Sequence, residues 1–334
     1  MKKSILSTTA IALLIIAALE YIIFSANMGA FAVIIGIPVL SALMCSARNK
    51  RVLICLIAFG SIVSLISGAM YGYFTDVQSG LAFVIEYFQL HLPAFVLYRC
   101  AVDKGLELKS AIIRTTAANL AVTVADLALV KYLRKINMTD TIAAYMDEFS
   151  QNYMSVISTV DFGVKIDTET VSKALELVSA GLIMFMPAIL ILICMLMSYI
   201  AFVIGKALIA NFTKVKISAM SKLRFFHIGN GLSFFTLFLL IFTFMSESSY
   251  FAGGVYNFAL LSAFAYMING LAVVDFLLAK RVKSNSGHKL LMILIVILSV
   301  ISSVSGSPIS GLSVLFFTGL IDVSFDFRKM HRLK

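Results

Sequence analysis

The chain has 334 residues, of which 60% are hydrophobic and only 13% are charged. A water-soluble domain of this length could not cover its surface with so few polar side chains, so the composition specifies an integral membrane protein. The net charge of +10 does not point to nucleic acid. Lys and Arg fall in the short gaps between apolar runs, where membrane proteins carry their orientation signals.

The apolar runs suit helices of about 20 residues crossing a hydrocarbon core about 30 Å thick; the short alternating segments of an outer-membrane barrel are absent. The first run, Ser4–Phe24, is longer than the apolar part of a signal peptide, about 7–15 residues, and reads as an uncleaved span. Met28–Cys45, Val52–Phe74, Gly80–Cys100 and Ser110–Val130 follow. Leu177–Gly205, Ile228–Met245, Val255–Ala279, Leu290–Val304 and Ile309–Phe325 complete the set. Leu290–Val304 is 15 residues long, below the usual spanning minimum of about 17. With "GSP" at Gly306–Pro308 it also fits a re-entrant hairpin, and eight spans plus that hairpin is the alternative. The expected fold is therefore an all-α polytopic bundle of 8–10 spans, a single integral membrane domain over residues 1–334.

Basic residues set the orientation. Lys2 and Lys3, Arg48 to Arg51, Arg99 to Lys109, Lys206 to Arg224, Lys280 to Lys289 and the tail from Arg328 to Lys334 all fall on one side. That side is cytoplasmic by the positive-inside rule, and both termini lie there. The other side holds one sizeable polar loop, residues 131–176. Within it Ile142, Met146, Phe149, Tyr153, Ile157 and Val160 recur at helical spacing, with Asp140, Asp147 and Glu148 off the stripe. This extracytoplasmic loop reads as an amphipathic helix followed by a second one, N-capped at Asp167 or Thr168, that runs into the sixth span. A lid over an external opening and a hairpin lying on the membrane surface both fit it.

Ionisable groups inside spans are costly and mark candidate sites. Glu86 lies about two turns into the fourth span, with Gln89 and Pro93 near its face. Pro93 removes one backbone hydrogen bond. The three residues form a candidate substrate-binding or protonatable pocket; a neutral, hydrogen-bonded glutamate in a packed bundle is the structural alternative. Asp126 and Asp275 lie near span ends, within snorkelling reach of Lys131 and Lys280. Asn119, Asn230, Asn257 and Asn269 read as interhelical packing.

At the last span's end, Asp322 and Asp326 would share one helix face next to Arg328 and Lys329. Like charges at that spacing repel, and the helix dipole disfavours both. The four residues read as a structural charge cluster at the cytoplasmic boundary, with the cations compensating the anions. "GLIDVSFD" also resembles the second half of the CDP-alcohol phosphatidyltransferase motif. Its Gly stands one residue too close to the first Asp, however, and the upstream DGxxAR is missing, so no metal is expected. HExxH, GxSG, GxGD and Walker A sequences are absent. No enzymatic activity and no cofactor is expected, and Cys45, Cys55, Cys100 and Cys194 read as packing residues.

"GLIDVSFDFRK" (Gly319–Lys329) and "NGLAVVDFLLAKR" (Asn269–Arg281), together with Pro93 and Pro187, resemble the YybS-like family of predicted bacterial multi-span membrane proteins, a domain of unknown function, over about Phe31 to Arg328. The resemblance implies a bacterial inner-membrane protein. It further implies a distant similarity to the substrate-binding membrane subunits of energy-coupling-factor transporters, which have no ATPase of their own. It carries over no functional residues, and the AxxxA face those subunits use for docking is not clear on the first span. The expected function is small-solute binding or transport with a partner ATPase. The alternative is a non-catalytic membrane scaffold or assembly protein. Partners are the lipid bilayer and other membrane or ATPase subunits, not nucleic acid.

Overall fold

The computed structural model describes residues 29–46, 62, 66, 69, 77–104, 108–159, 168–212, 223–245, 249–282, 284–304 and 310–328. No strand occurs among them. The helices are α1 (Gly29–Ser46), α2 (Val77–Lys104), α3 (Leu108–Arg134), α4 (Met138–Thr159), α5 (Thr168–Phe212), α6 (Asn230–Met245), α7 (Ser249–Arg281), α8 (Asn285–Val304) and α9 (Gly311–Phe325), with a short 3-10 turn at Leu223–Phe225. Four of the described helices are long and apolar enough to cross a membrane: Ser110–Tyr132, Glu169–Asn211, Phe251–Arg281 and Asn285–Ser303. Shorter apolar helices occupy Ile34–Cys45, Gly231–Thr243 and Gly311–Phe325. The expected first span, Ser4–Phe24, and most of Val52–Phe74 lie outside the described residues.

The ninth apolar run is longer as a helix than as a run of apolar residues. α8 begins at Asn285 and has 20 residues, because a polar turn, Asn285 to Lys289, precedes the apolar stretch and His288 within it is tied to Asp275. A 20-residue helix rises about 30 Å, enough to span, so shortness no longer argues for a re-entrant hairpin here. Gly306–Pro308 lie outside the described residues.

The chain divides into two compact units. The first contains Met1–Ile183 and Ile189–Met220. Its core joins Ile37 and Leu40 of α1 to Leu90, Ala94 and Leu97 of α2 and to Ala201, Phe202 and Ile209 of α5. Small residues let these helices approach. Gly205 leaves room for Leu97 and Pro38, and the Ser41 hydroxyl crosses from α1 to donate to the Ala94 carbonyl at 3.0 Å.

The second unit contains Met184–Ala188 and Ser221–Lys334. Pro187 lacks the N–H that the Ile183 carbonyl would otherwise receive. Directly beside it, Asn257 of α7 accepts from the Ala188 N–H at 2.9 Å and donates to the Met184 carbonyl at 2.8 Å. That N–H and that carbonyl are the pair an uninterrupted helix joins directly, so the amide of Asn257 acts as an insert in the helical ladder. Among the described helices, α7 and α9 pack most closely. Built methyl groups at Gly270 and Gly319 would overlap the carbonyl oxygens of Leu315 and Tyr266 respectively. The two backbones touch there, as the small-residue crossings of membrane helices allow.

Candidate functional site

Each unit carries its own cluster of polar side chains. In the first, α3 presents Thr115, Asn119, Thr123 and Asp126 along one face, at the three- and four-residue spacing of a helix. Asn119 donates to the Ser198 hydroxyl at 2.9 Å, and Thr123 meets Cys194 at 3.9 Å, both on α5. Ser198 itself donates to the Cys194 carbonyl at 2.7 Å. At the end of the row the Gln89 amide of α2 donates to Asp126 at 3.3 Å. Thr115 is fully buried, and its hydroxyl has no hydrogen-bond partner among the described residues. A buried polar group left in that state carries its full desolvation cost.

Of the three sequence-derived pocket residues, Gln89 thus reaches Asp126, and Pro93 is buried in α2, which continues through it. Glu86 occupies α2 one turn before Gln89, and its side chain lies outside what the structure describes. Asp126 meets the Gln89 amide, while Lys131 is exposed near the end of α3.

The second cluster sits where the last turn of α9 meets α7, α8 and the 3-10 turn. The side chains of Asp322 and Arg328 are both 0% exposed and pair at 2.6 Å. The guanidinium Nε also donates to both carboxylate oxygens, at 3.2 and 3.1 Å. Asn269 of α7 donates to Asp322 at 3.1 Å and to the Gly319 carbonyl at 3.0 Å, and accepts from Arg328 at 2.8 Å. Arg328 donates once more, to the Arg224 carbonyl at 2.9 Å. The Arg224 N–H in turn donates to Asp275 at 2.7 Å, and His288 of α8 meets the other Asp275 oxygen at 2.5 Å. His227 stands 3.7 Å from Asp322. The peptide groups of Arg224 therefore link two carboxylates on two helices.

The geometry at Asp326 differs from the sequence expectation. α9 ends at Phe325, and Asp326 caps it in the left-handed conformation, φ 47°, its N–H bonded to the Asp322 carbonyl at 2.8 Å. Asp326 therefore closes the helix instead of lying within it. Aspartate tolerates this conformation better than most residues, and the turn it makes returns Arg328 onto Asp322. The pair is also buried in protein rather than held at a hydrated boundary, so its energetics follow the rules for buried pairs. Lys329 lies outside the described residues. Among the described residues no three His, Cys, Asp or Glu side chains gather to hold a metal ion.

The chain matches the family model described as "Predicted membrane protein (DUF2232)" over residues 87–306, well over half its length. It belongs to that family. The DUF2232 match takes in Gln89, Asn119, Asp126, Asn269, Asp275 and His288, and ends before Gly319, Asp322 and Arg328. No curated protein and no solved structure matches this DUF2232 protein.

Sequence reasoning missed Asn269, Arg224, His227 and His288 as members of one network. It assigned Asp275 to Lys280, whereas Lys280 lies over the Phe276 ring at 4.3 Å. A signal was present, since both motifs set a glycine close to a polar residue, Asn269 beside Gly270 and Asp322 one turn after Gly319. Each glycine marks where the backbones touch, and the polar residues beside them meet.

Proposed function

We propose that this DUF2232 protein is a multi-pass bacterial inner-membrane protein that binds or moves a small solute, and that a partner ATPase supplies the energy. The observation that carries this reading is the polar face of α3, a helix long and apolar enough to span, bearing Thr115, Asn119, Thr123 and Asp126. Ionisable residues within spans mark solute or proton paths more often than packing alone demands. The Gln89–Asp126 contact extends this face to α2, where Glu86 and Pro93 also stand, and the Thr115 hydroxyl, unpartnered among the described residues, offers a polar ligand a hydrogen bond. The YybS-like resemblance and its distant link to energy-coupling-factor subunits support the partner ATPase. The absence of a complete catalytic motif supports a role that is not enzymatic.

Purification from native membranes, followed by mass spectrometry of extracted small molecules and of co-purifying subunits, tests the reading. A hydrogen bond to a charged group contributes about 1.5–3 kcal/mol. Asp126→Asn should therefore lower ligand occupancy about tenfold or more while the melting temperature in detergent stays close to that of the unaltered protein. Glu86→Gln should act in the same direction. Full occupancy in both variants would refute the site. Neutral pairs such as Asn119–Ser198 also favour a scaffold reading, since such bonds hold helices together at about 1 kcal/mol each. Finding neither a ligand nor an ATPase subunit would leave that reading standing.

The basic residues support cytoplasmic termini. A reporter after Lys334 or near Ser284 should report the cytoplasm, and one near Asn152 the exterior. A cytoplasmic signal at Asn152 would invert the orientation.

A further inference from the structure

We propose that α4 lies in the membrane interface, its aromatic stripe seated among lipid headgroups and upper acyl chains. The span Ser110–Tyr132 ends in the exposed pair Lys131 and Tyr132, the latter 86% exposed, a basic and aromatic combination suited to a membrane boundary. From the end of α3 only Lys135, Ile136 and Asn137 lead to α4, with Lys135 in the left-handed region at φ 54°. Three residues reach about 10 Å at most. The first turn of α4, closed by Thr141 N–H on the Asn137 carbonyl at 3.0 Å, therefore starts at the membrane surface whichever way the protein is oriented.

α4 has 22 residues and extends about 33 Å. Its apolar side runs through Ile142, Tyr145, Met146, Phe149 and Tyr153. Tyr145, Phe149 and Tyr153 are 68%, 53% and 45% exposed, and no other described helix packs along α4. A lid closed on the protein would bury these rings; they stand open instead, Phe149 stacked on Tyr153 at 5.9 Å. The opposite side carries Asp140, Asp147 and Gln151, all exposed. α4 contains no Lys or Arg, so attraction to anionic lipids does not hold it. Burial of tyrosine and phenylalanine at the interface does, aided by the tether to α3, which keeps the helix at high local concentration.

The protein has no Trp, so a single introduced indole reports its own surroundings. Phe149→Trp and Tyr145→Trp on the stripe, with Gln151→Trp on the far side, would be compared in the full chain reconstituted in phosphatidylcholine vesicles. Emission from F149W and Y145W should be blue-shifted and quenched by lipids brominated on the acyl chain, while Q151W should be red-shifted and quenched by aqueous iodide. Iodide quenching of the stripe variants without bromolipid quenching would overturn the proposal. Blue-shifted emission that bromolipids leave unquenched would overturn it too, because the stripe would then be covered by protein.

Discussion

Arg328→Met should destabilise the protein by about 3–5 kcal/mol, the range expected when one partner of a buried ion pair is removed and the other stays charged. Asp322 has no water to turn to, being 0% exposed, and Asn269 and the Arg224 carbonyl would lose a donor as well. Asp322→Asn should act in the same direction, leaving the guanidinium without its anion. The double variant Asp322→Leu with Arg328→Met should recover part of the loss, because apolar groups of similar volume need no partner. Thermal and denaturant melts in detergent, arranged as a double-mutant cycle, measure the coupling directly. A cost below about 1 kcal/mol for Arg328→Met, the value of an exposed pair, would mean that water reaches the pair and that the buried network does not form.

Gly319→Ala should destabilise the α7–α9 crossing by about 1–3 kcal/mol or more, the cost of overpacking a tight contact. The added methyl would meet the Tyr266 carbonyl and the backbone nitrogen of Gly270, and neither can move aside as a flexible side chain would. Gly270→Ala meets Leu315 in the same way. Separation of the helices would also stretch the bonds from Asn269 to Gly319 and Asp322, so the effect should not add independently to that of Arg328→Met. Gly253→Ala and Gly254→Ala on the same α7 are the controls. Among the described residues, no atom beyond the helix's own backbone lies within 4 Å of a methyl at either position, and both should leave the melting temperature unchanged or raise it slightly, since alanine favours a helix over glycine. Equal effects at Gly254 and Gly319 would refute the close crossing.

Long apolar runs are visible in a sequence because the bilayer requires them, whatever packs beside them. That is why Ser110–Val130, Leu177–Gly205 and Val255–Ala279 each recur inside the described helices α3, α5 and α7, and why membrane residence follows from composition alone. The amphipathic stripe was equally legible from Ile142 to Ile157, since it depends on spacing within one helix, while its last member, Val160, lies outside the described residues. The start of α8 was not, because a polar turn extends it ahead of its apolar run. The left-handed turn at Asp326 was not legible either, because a helix that runs on and one that stops there leave the same letters in the chain.

Pairing across helices belongs to the tertiary structure. Asn269 and Asp322 are far apart in the chain, and nothing local favours one partner over another. Their meeting depends on Gly270 and Gly319 letting two backbones touch, and the return of Arg328 depends on the turn at Asp326. Likewise the row from Thr115 to Asp126 is written in α3, but the choice of Ser198, Cys194 and Gln89 as its partners is not. By itself the sequence determined a helical membrane protein with polar groups inside its apolar segments, because solvation by lipid acts on each segment separately. Only the tertiary structure decided which polar groups satisfy one another, because a hydrogen bond needs two atoms about 3 Å apart, and that distance is a property of the packed helices.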